Sequence, residues 1–215
     1  MSRFAVLLAG SIDPTPALRR ALTGRRVIAA DGGIRHAAAL EVQPELWVGD
    51  FDSSPPDLVD PDGVAKVPRE RFPRDKDRTD GELAIQAARA RGASDLLLVG
   101  ALGGRSDHAF SHLVIALREA EAGLQIELFD GMERVLPLLP GGPLAVEAEP
   151  GRQFSLLKFS DLEGLTIQGA RFPLEGVAVP FASILTQSNE ATGPLRLSLR
   201  SGRALLLLQA DPTRR

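Results

Sequence analysis

The chain has no cysteine and no tyrosine, and its single tryptophan is Trp47. Without cysteine, disulfides, thiolate zinc sites and cysteine nucleophiles are excluded. The absence suits a reducing compartment. No apolar stretch approaches the ~20 residues that a membrane helix needs. Neither sign of charge dominates: 25 Lys+Arg stand against 28 Asp+Glu, a net charge of −3. That balance offers no electrostatic reason to expect nucleic-acid binding. Internal repeats and low-complexity segments are lacking as well.

What is present is ordinary globular material. The 215 residues, 44% of them hydrophobic, suit one large domain or two small ones. Such a chain buries most of its apolar surface without staples. The apolar run Phe4–Ala9 follows Arg3, as in a signal peptide, but it is short and Asp13-Pro14 follows closely. It reads as a buried first strand. These features place the protein in the cytoplasm, with no membrane partner.

Two grammars divide the chain. Up to about residue 136, short apolar runs alternate with helical patterns, the signature of a parallel α/β sheet. The expected strands are Phe4–Ala9, Val27–Ala30, Leu46–Val48, Ala65–Val67, Leu96–Val99 and Ile126–Phe129. Helices are expected over Gly81–Arg91, with Thr79 and Glu82 at capping-box spacing, and over Asp107–Ala122. Pro137, Pro140, Gly141, Gly142 and Pro143 then read as a linker or turn cluster. Beyond it come short strand-like runs with turn residues between them, which is all-β grammar. The expected fold is therefore a Rossmann-like three-layer α/β domain over 1–136, followed by a β-sandwich domain over 143–215.

Four polar clusters lie where expected strands end, the position that lines the ligand crevice of an open α/β sheet. The first is Asp31-Gly32-Gly33, which also reads as an ordinary turn with Asp as cap. In the second, Gly49-Asp50-Phe51-Asp52-Ser53-Ser54, residues two apart on extended chain point to one side. Asp50 and Asp52 can thus converge, and a divalent cation would relieve their repulsion. Magnesium favours a few carboxylates, water and substrate phosphates over a full protein cage. A solvated turn is the plainer alternative.

The third cluster, Asp75-Lys76-Asp77-Arg78-Thr79-Asp80, leads into a helix. Asp77 and Asp80 share a face there, although acidic residues at a helix start are favourable on dipole grounds alone. The fourth, Gly100-Ala101-Leu102-Gly103-Gly104-Arg105-Ser106-Asp107-His108, is a glycine loop entering a helix. Free N–H groups there suit phosphate, and Arg105 adds a planar cationic fork. The spacing matches neither a Walker loop nor the dinucleotide fingerprint. Together the clusters equip a crevice for metal-assisted phosphoryl transfer. His36 and His112 sit within helical patterns without metal-ligand company and read as packing residues. Lys76 and Arg78 read equally as phosphate contacts or solvated charge.

The ordered motifs ADGG, VGDFDS, DKDRTD, GALGGRSDH and, late in the chain, Ser188-Asn189-Glu190 resemble those of the thiamine pyrophosphokinases. The resemblance spans nearly the whole chain. It implies an N-terminal α/β domain, a C-terminal β-sandwich, and a homodimer whose shared active site holds thiamine near the subunit interface. It also implies Mg2+ as cofactor and ATP as co-substrate, with thiamine diphosphate and AMP as products. Carried over, Asp50, Asp52 and Asp80 become the magnesium and catalytic residues. Asp31, Gly32, Asp77, Thr79, Gly103, Gly104, Arg105, Asp107 and His108 become nucleotide and phosphate contacts. Ser188 and Asn189 become contacts to the vitamin. Gln187 departs from the pattern, since a small hydroxyl residue is more usual before the Ser-Asn pair. No stacking aromatic is evident in the second half, where Phe159, Phe172 and Phe181 are the candidates. Two alternatives stand beside this reading: a pyrophosphokinase for another hydroxymethyl heterocycle, such as a pterin, and a non-catalytic nucleotide or thiamine diphosphate sensor.

Overall fold

A computed structural model describes residues 2–51, 67–71 and 78–209. The chain divides into two compact units, Met1–Ile115 with Gly123–Gly131, and Ala116–Ala122 with Met132–Arg215.

In the first unit, β1 (Ser2–Leu7) pairs in parallel with β2 (Arg26–Ala30) and with β5 (Ala93–Val99). Outward from these, β3 (Leu46–Gly49) joins β2, β4 (Arg69–Arg71) joins β3, and β6 (Gln125–Phe129) joins β5, all in parallel. The inner strands are continuous apolar runs because parallel strands bury both faces. Ala5, Leu7, Val27, Ala29, Trp47, Leu97 and Val99 form one core with Leu18, Leu22 and Leu40. Parallel pairing leaves the carboxyl ends of these strands at one edge, and the polar clusters follow those ends.

Among the described residues this unit holds the helices α1 (Pro16–Leu22), α2 (Ala37–Leu40) and α3 (Asp80–Ala90) and the first part of α4 (Ser106–Glu121). Thr79 caps α3 as expected. Its hydroxyl accepts from Glu82 N at 3.2 Å and its N–H donates to the Glu82 carboxylate at 3.3 Å.

The second unit is antiparallel. Its β7 (Glu133–Leu138) pairs with β13 (Ala204–Gln209), which pairs with β9 (Gln153–Lys158). Strand β12 (Asn189–Ser198) begins beside β9 and continues beside β8 (Leu144–Val146) and β10 (Leu162–Ala170). A final strand, β11 (Leu174–Val179), edges β10. Phe154, Leu156, Leu165, Ile167, Leu197 and Leu206 are fully buried among them.

This corrects the expected fold class. The described chain is mostly β, with mixed parallel and antiparallel pairing and few helices, and the Rossmann-like three-layer domain is not supported. Such a domain needs a full helix over each parallel crossover. Here α1 has seven residues, and β2 reaches β3 through a six-residue 3-10 turn (Asp31–His36) and the four-residue α2. Among the described residues only α3 and α4 exceed eight residues. Sequence periodicity marked those two and said nothing of how thinly the other connections are covered. The expected strand at Ala65–Val67 also differs: 65 and 66 lie outside the described residues, and β4 begins at Arg69. Pro137, read as part of a turn cluster, lies inside β7 opposite Leu205. No helix among the described residues is long and apolar enough to cross a membrane.

Candidate active site

The carboxyl-end edge of the first unit holds a cleft of about 520 Å³. Asp31, Asp50, Thr79, Asp80, Gly103, Gly104, Arg105 and His108 all line it. Residues from all four sequence clusters, the third through the start of α3, thus meet around one space. Asp52 and Asp77 lie outside the described residues. Gly32 is not on the lining; it packs toward Ala9.

The floor is made by close main-chain contact. A Cβ on Gly10 would fall 2.3 Å from the carbonyl oxygens of both Gly100 and Gly103. One on Gly103 would fall 2.0 Å from Ser11 Oγ. Separations that short are never tolerated, so the segment after β1 and the loop after β5 interlock only because these positions are glycine. Gly10 N–H also donates to Gly100 O at 3.0 Å. The Gly100–Gly104 loop then enters α4, whose first-turn N–H groups favour an anion.

Arg105 stands at that entrance as a pre-set fork. Its Nε and Nη2 donate to Asp107 Oδ1 and Oδ2 at 3.1 and 2.6 Å. Asp107 is not itself on the cleft lining. Its hydrogen bonds from Arg105 hold its carboxyl down to about 2, and its Oδ1 also accepts from His108 N. The same pairing raises Arg105. Asp107 thus orients the guanidinium, while the remaining Arg105 donors are left for a ligand.

His36 has the packing role expected: burial lowers its pKa, and Nε2 donates to Gly10 O at 2.8 Å. His112 does not fit that expectation. It lines the cleft from the second turn of α4, with Nδ1 2.9 Å from Ala101 O. Its i+4 spacing from His108 was the signal available in the sequence. Arg78 also lines the cleft and donates to Gln86 at 2.7 Å.

Ser188 and Asn189 belong to the second unit. Asn189 is buried, and its amide engages the peptide of Phe172: Nδ2 donates to Phe172 O at 2.9 Å and Oδ1 accepts from Phe172 N at 3.1 Å. Ser188 is exposed, with φ of 55° and its N–H on Ser155 Oγ at 3.0 Å.

Among the described residues no three carboxylate or imidazole groups form a ready metal cage. The donors present are nonetheless hard oxygens that line one cleft, which suits an ion that keeps water and borrows phosphate oxygens.

A family model described as the catalytic domain of thiamin pyrophosphokinase matches residues 22–128. The chain is 27% identical over 121 residues to a thiamine pyrophosphokinase of Bacillus subtilis, covering 55% of this chain and 56% of that relative. The chain thus spans little more than half of the curated relative it matches. A solved thiamine pyrophosphokinase from Bacillus subtilis superposes with a TM-score of 0.83 at 23% identity, over 98% of this chain and 100% of that one. The thiamin pyrophosphokinase of Geobacillus thermodenitrificans superposes at 0.82 with 25% identity, over 100% of both chains. The matched family segment carries each of the residues placed here around the cleft except those of the β1 strand and its loop. With the ordered motifs, the cleft and the matched catalytic segment in agreement, the chain belongs to the thiamin pyrophosphokinase family.

Proposed function

We propose that the chain transfers a pyrophosphoryl group from ATP to the hydroxyl of thiamine, yielding thiamine diphosphate and AMP. One observation carries the reading: Asp31, Asp50 and Asp80 share a single cleft with a glycine loop and Arg105. Three carboxylates around a phosphate-binding loop repel one another and the substrate unless a cation joins them.

Asp50 and Asp80 would hold Mg2+, with Asp31 beside them. Asp52 and Asp77 complete the acidic set in this proposal. When bound, the ion would neutralise charge on the phosphates. The chain's own groups do the rest. The Gly100–Gly104 loop and the start of α4 would receive phosphate oxygens, and Arg105 would meet the charge that spreads over them in the transition state. The hydroxyl oxygen bonds to the β-phosphorus. The bond from that phosphorus to the α–β bridging oxygen breaks, and AMP leaves with the oxygen and its electron pair. Ser188 and Asn189 serve the vitamin, Asn189 by ordering the Phe172 main chain. The homodimer with its shared site, and a cytoplasmic location, belong to the same proposal.

The test is a product assay with ATP, magnesium and thiamine. AMP and thiamine diphosphate in equal amounts, lost on chelation, is the expected result. ADP with thiamine monophosphate would mean single phosphoryl transfer and would refute the mechanism. AMP that depends on a pterin and not on thiamine would reassign the acceptor.

A further inference from the structure

His112 occupies the cleft with one ring nitrogen spoken for. Its Nδ1 lies 2.9 Å from Ala101 O. A carbonyl only accepts, so Nδ1 carries the hydrogen and Nε2 keeps its lone pair. Nε2 has no hydrogen-bond partner among the described residues. It faces the start of α3, where a Cβ on Gly81 would come within 3.5 Å of Nε2 and 3.8 Å of Thr79 Oγ1. The missing side chain at 81 keeps that approach open.

The charged and titratable groups around the ring are Asp80 and Glu82 on α3, His108 on α4, and Arg78 and Arg105 across the lining. Burial is the largest influence and lowers the His112 pKa. The Ala101 hydrogen bond opposes it, His108 adds to it, and Glu82 opposes it. The ring is therefore neutral near pH 7, and Nε2 can only accept. Phosphate oxygens also only accept, so the nucleotide phosphates are not its complement. A hydroxyl is.

We propose that His112 Nε2 accepts the hydrogen bond of the attacking hydroxyl and then its proton. This rests on the pyrophosphoryl-transfer reading above. As the hydroxyl oxygen bonds to the β-phosphorus, its proton passes to Nε2. The bridging bond breaks with its electron pair leaving on AMP, and the imidazolium returns the proton to solvent. Ala101 O holds Nδ1–H throughout and keeps the ring aimed.

The experiment follows AMP formation from ATP, magnesium and thiamine by wild type, His112→Ala and His112→Gln. Expected is a fall in kcat of about 10²-fold or more for His112→Ala. Both KM values stay within about threefold, as groups acting only in the transition state require. Wild-type kcat declines at acid pH, below the ordinary histidine value, as Nε2 becomes protonated. Both variants lose that limb. Added imidazole restores part of the His112→Ala rate, which a merely structural side chain would not allow. Unchanged binding of a non-hydrolysable ATP analogue certifies the fold, and His112→Gln serves if His112→Ala fails it. A variant kcat within threefold of wild type, or a loss confined to KM, overturns the assignment of His112 alone. No AMP from the wild type overturns the functional reading and this role with it.

Discussion

The indole N–H of Trp47 donates to the main-chain carbonyl of Asp31 at 2.8 Å. This ties the middle of β3 to the turn that follows β2. Asp31 needs the tie, because its φ of 41° lies in the left-handed region that disfavours side chains. Trp47 is fully buried, Phe51 meets its ring edge-on at 4.8 Å, and Arg69 lies over it at 4.6 Å. Trp47→Phe removes the donor and leaves a small void. The first unit should lose about 2–4 kcal/mol, read as a lower urea midpoint by circular dichroism. An unchanged midpoint would show that the Asp31 turn holds its shape unaided.

Glycines at the cleft floor should be far less replaceable than glycines elsewhere. Gly10→Ala forces Cβ into two carbonyl oxygens, and neither can retreat without opening the Gly100–Gly104 loop. Loss of nucleotide binding by about tenfold or more is expected, measured by calorimetry. Gly142→Ala is the control, since nothing lies within 4 Å of its Cβ position. That change should be neutral, or stabilise by about 0.4–1 kcal/mol through the unfolded chain. Equal effects at both sites would remove the interlock as the explanation.

Much of this site was legible because motif and strand end coincide. The runs Val27–Ala30 and Leu46–Val48 match β2 and β3 almost to the residue, so Asp31 and Asp50 fall at one edge by parallel pairing alone. The Thr79–Glu82 box fixed the start of α3 and with it Asp80. Coverage of the sheet was not legible. The seven-residue α1 and four-residue α2 have no long apolar period to reveal them, and the three-layer expectation failed there. The early part of β12 carries Gly193-Pro194, residue types that weaken a strand pattern, yet both sit inside the strand. His112 reads as packing in the sequence: its spacing from His108 hints at the cleft, but its main-chain partner, Ala101 O, leaves no mark in a side-chain pattern.

The carboxylates of the cleft yield a metal-linked prediction. Asp80→Asn keeps the shape of the α3 start and removes one charge from the cleft. A fall in kcat/KM of about 100-fold or more is expected, with a higher magnesium concentration for half-maximal rate. The Thr79 cap should survive, so the urea midpoint should move little. An Asp80→Asn enzyme with an unaltered magnesium dependence would place the ion elsewhere.

Arg105 and Asp107 define a pH window. The Asp107 carboxyl is depressed to about 2 from an ordinary 3.8. A depressed carboxylate contributes above the ordinary value, and its contribution is lost as pH falls through the depressed one. The Arg105 fork is therefore fully set above about pH 4 and is released only near pH 2. Nuclear magnetic resonance of the Asp107 carboxyl should give a midpoint near 2, moving back toward 3.8 in Arg105→Ala. The neutral-pH activity profile should then owe nothing to this pair. A midpoint that ignores Arg105→Ala would mean the fork is not held as described.

The segment leading to Ser188 is fastened by a buried-side lysine. Lys158 Nζ donates to Ser183 O at 2.6 Å and to Thr186 Oγ1 at 3.1 Å, and burial lowers its pKa. Thr186 in turn donates to Leu156 O at 3.0 Å, and Leu156 N–H returns to Thr186 O at 2.8 Å. These bonds stitch the segment before β12 onto β9, while Phe181, Ile184 and Leu185 stay largely exposed on its outer side. Lys158→Met keeps the length and apolar stem but removes three donors. The segment should loosen, with faster amide exchange at Leu156. If Ser188 meets the vitamin, the thiamine KM should rise by about three- to tenfold while the ATP KM holds. A thiamine KM that stays fixed despite faster exchange would separate this segment from acceptor binding.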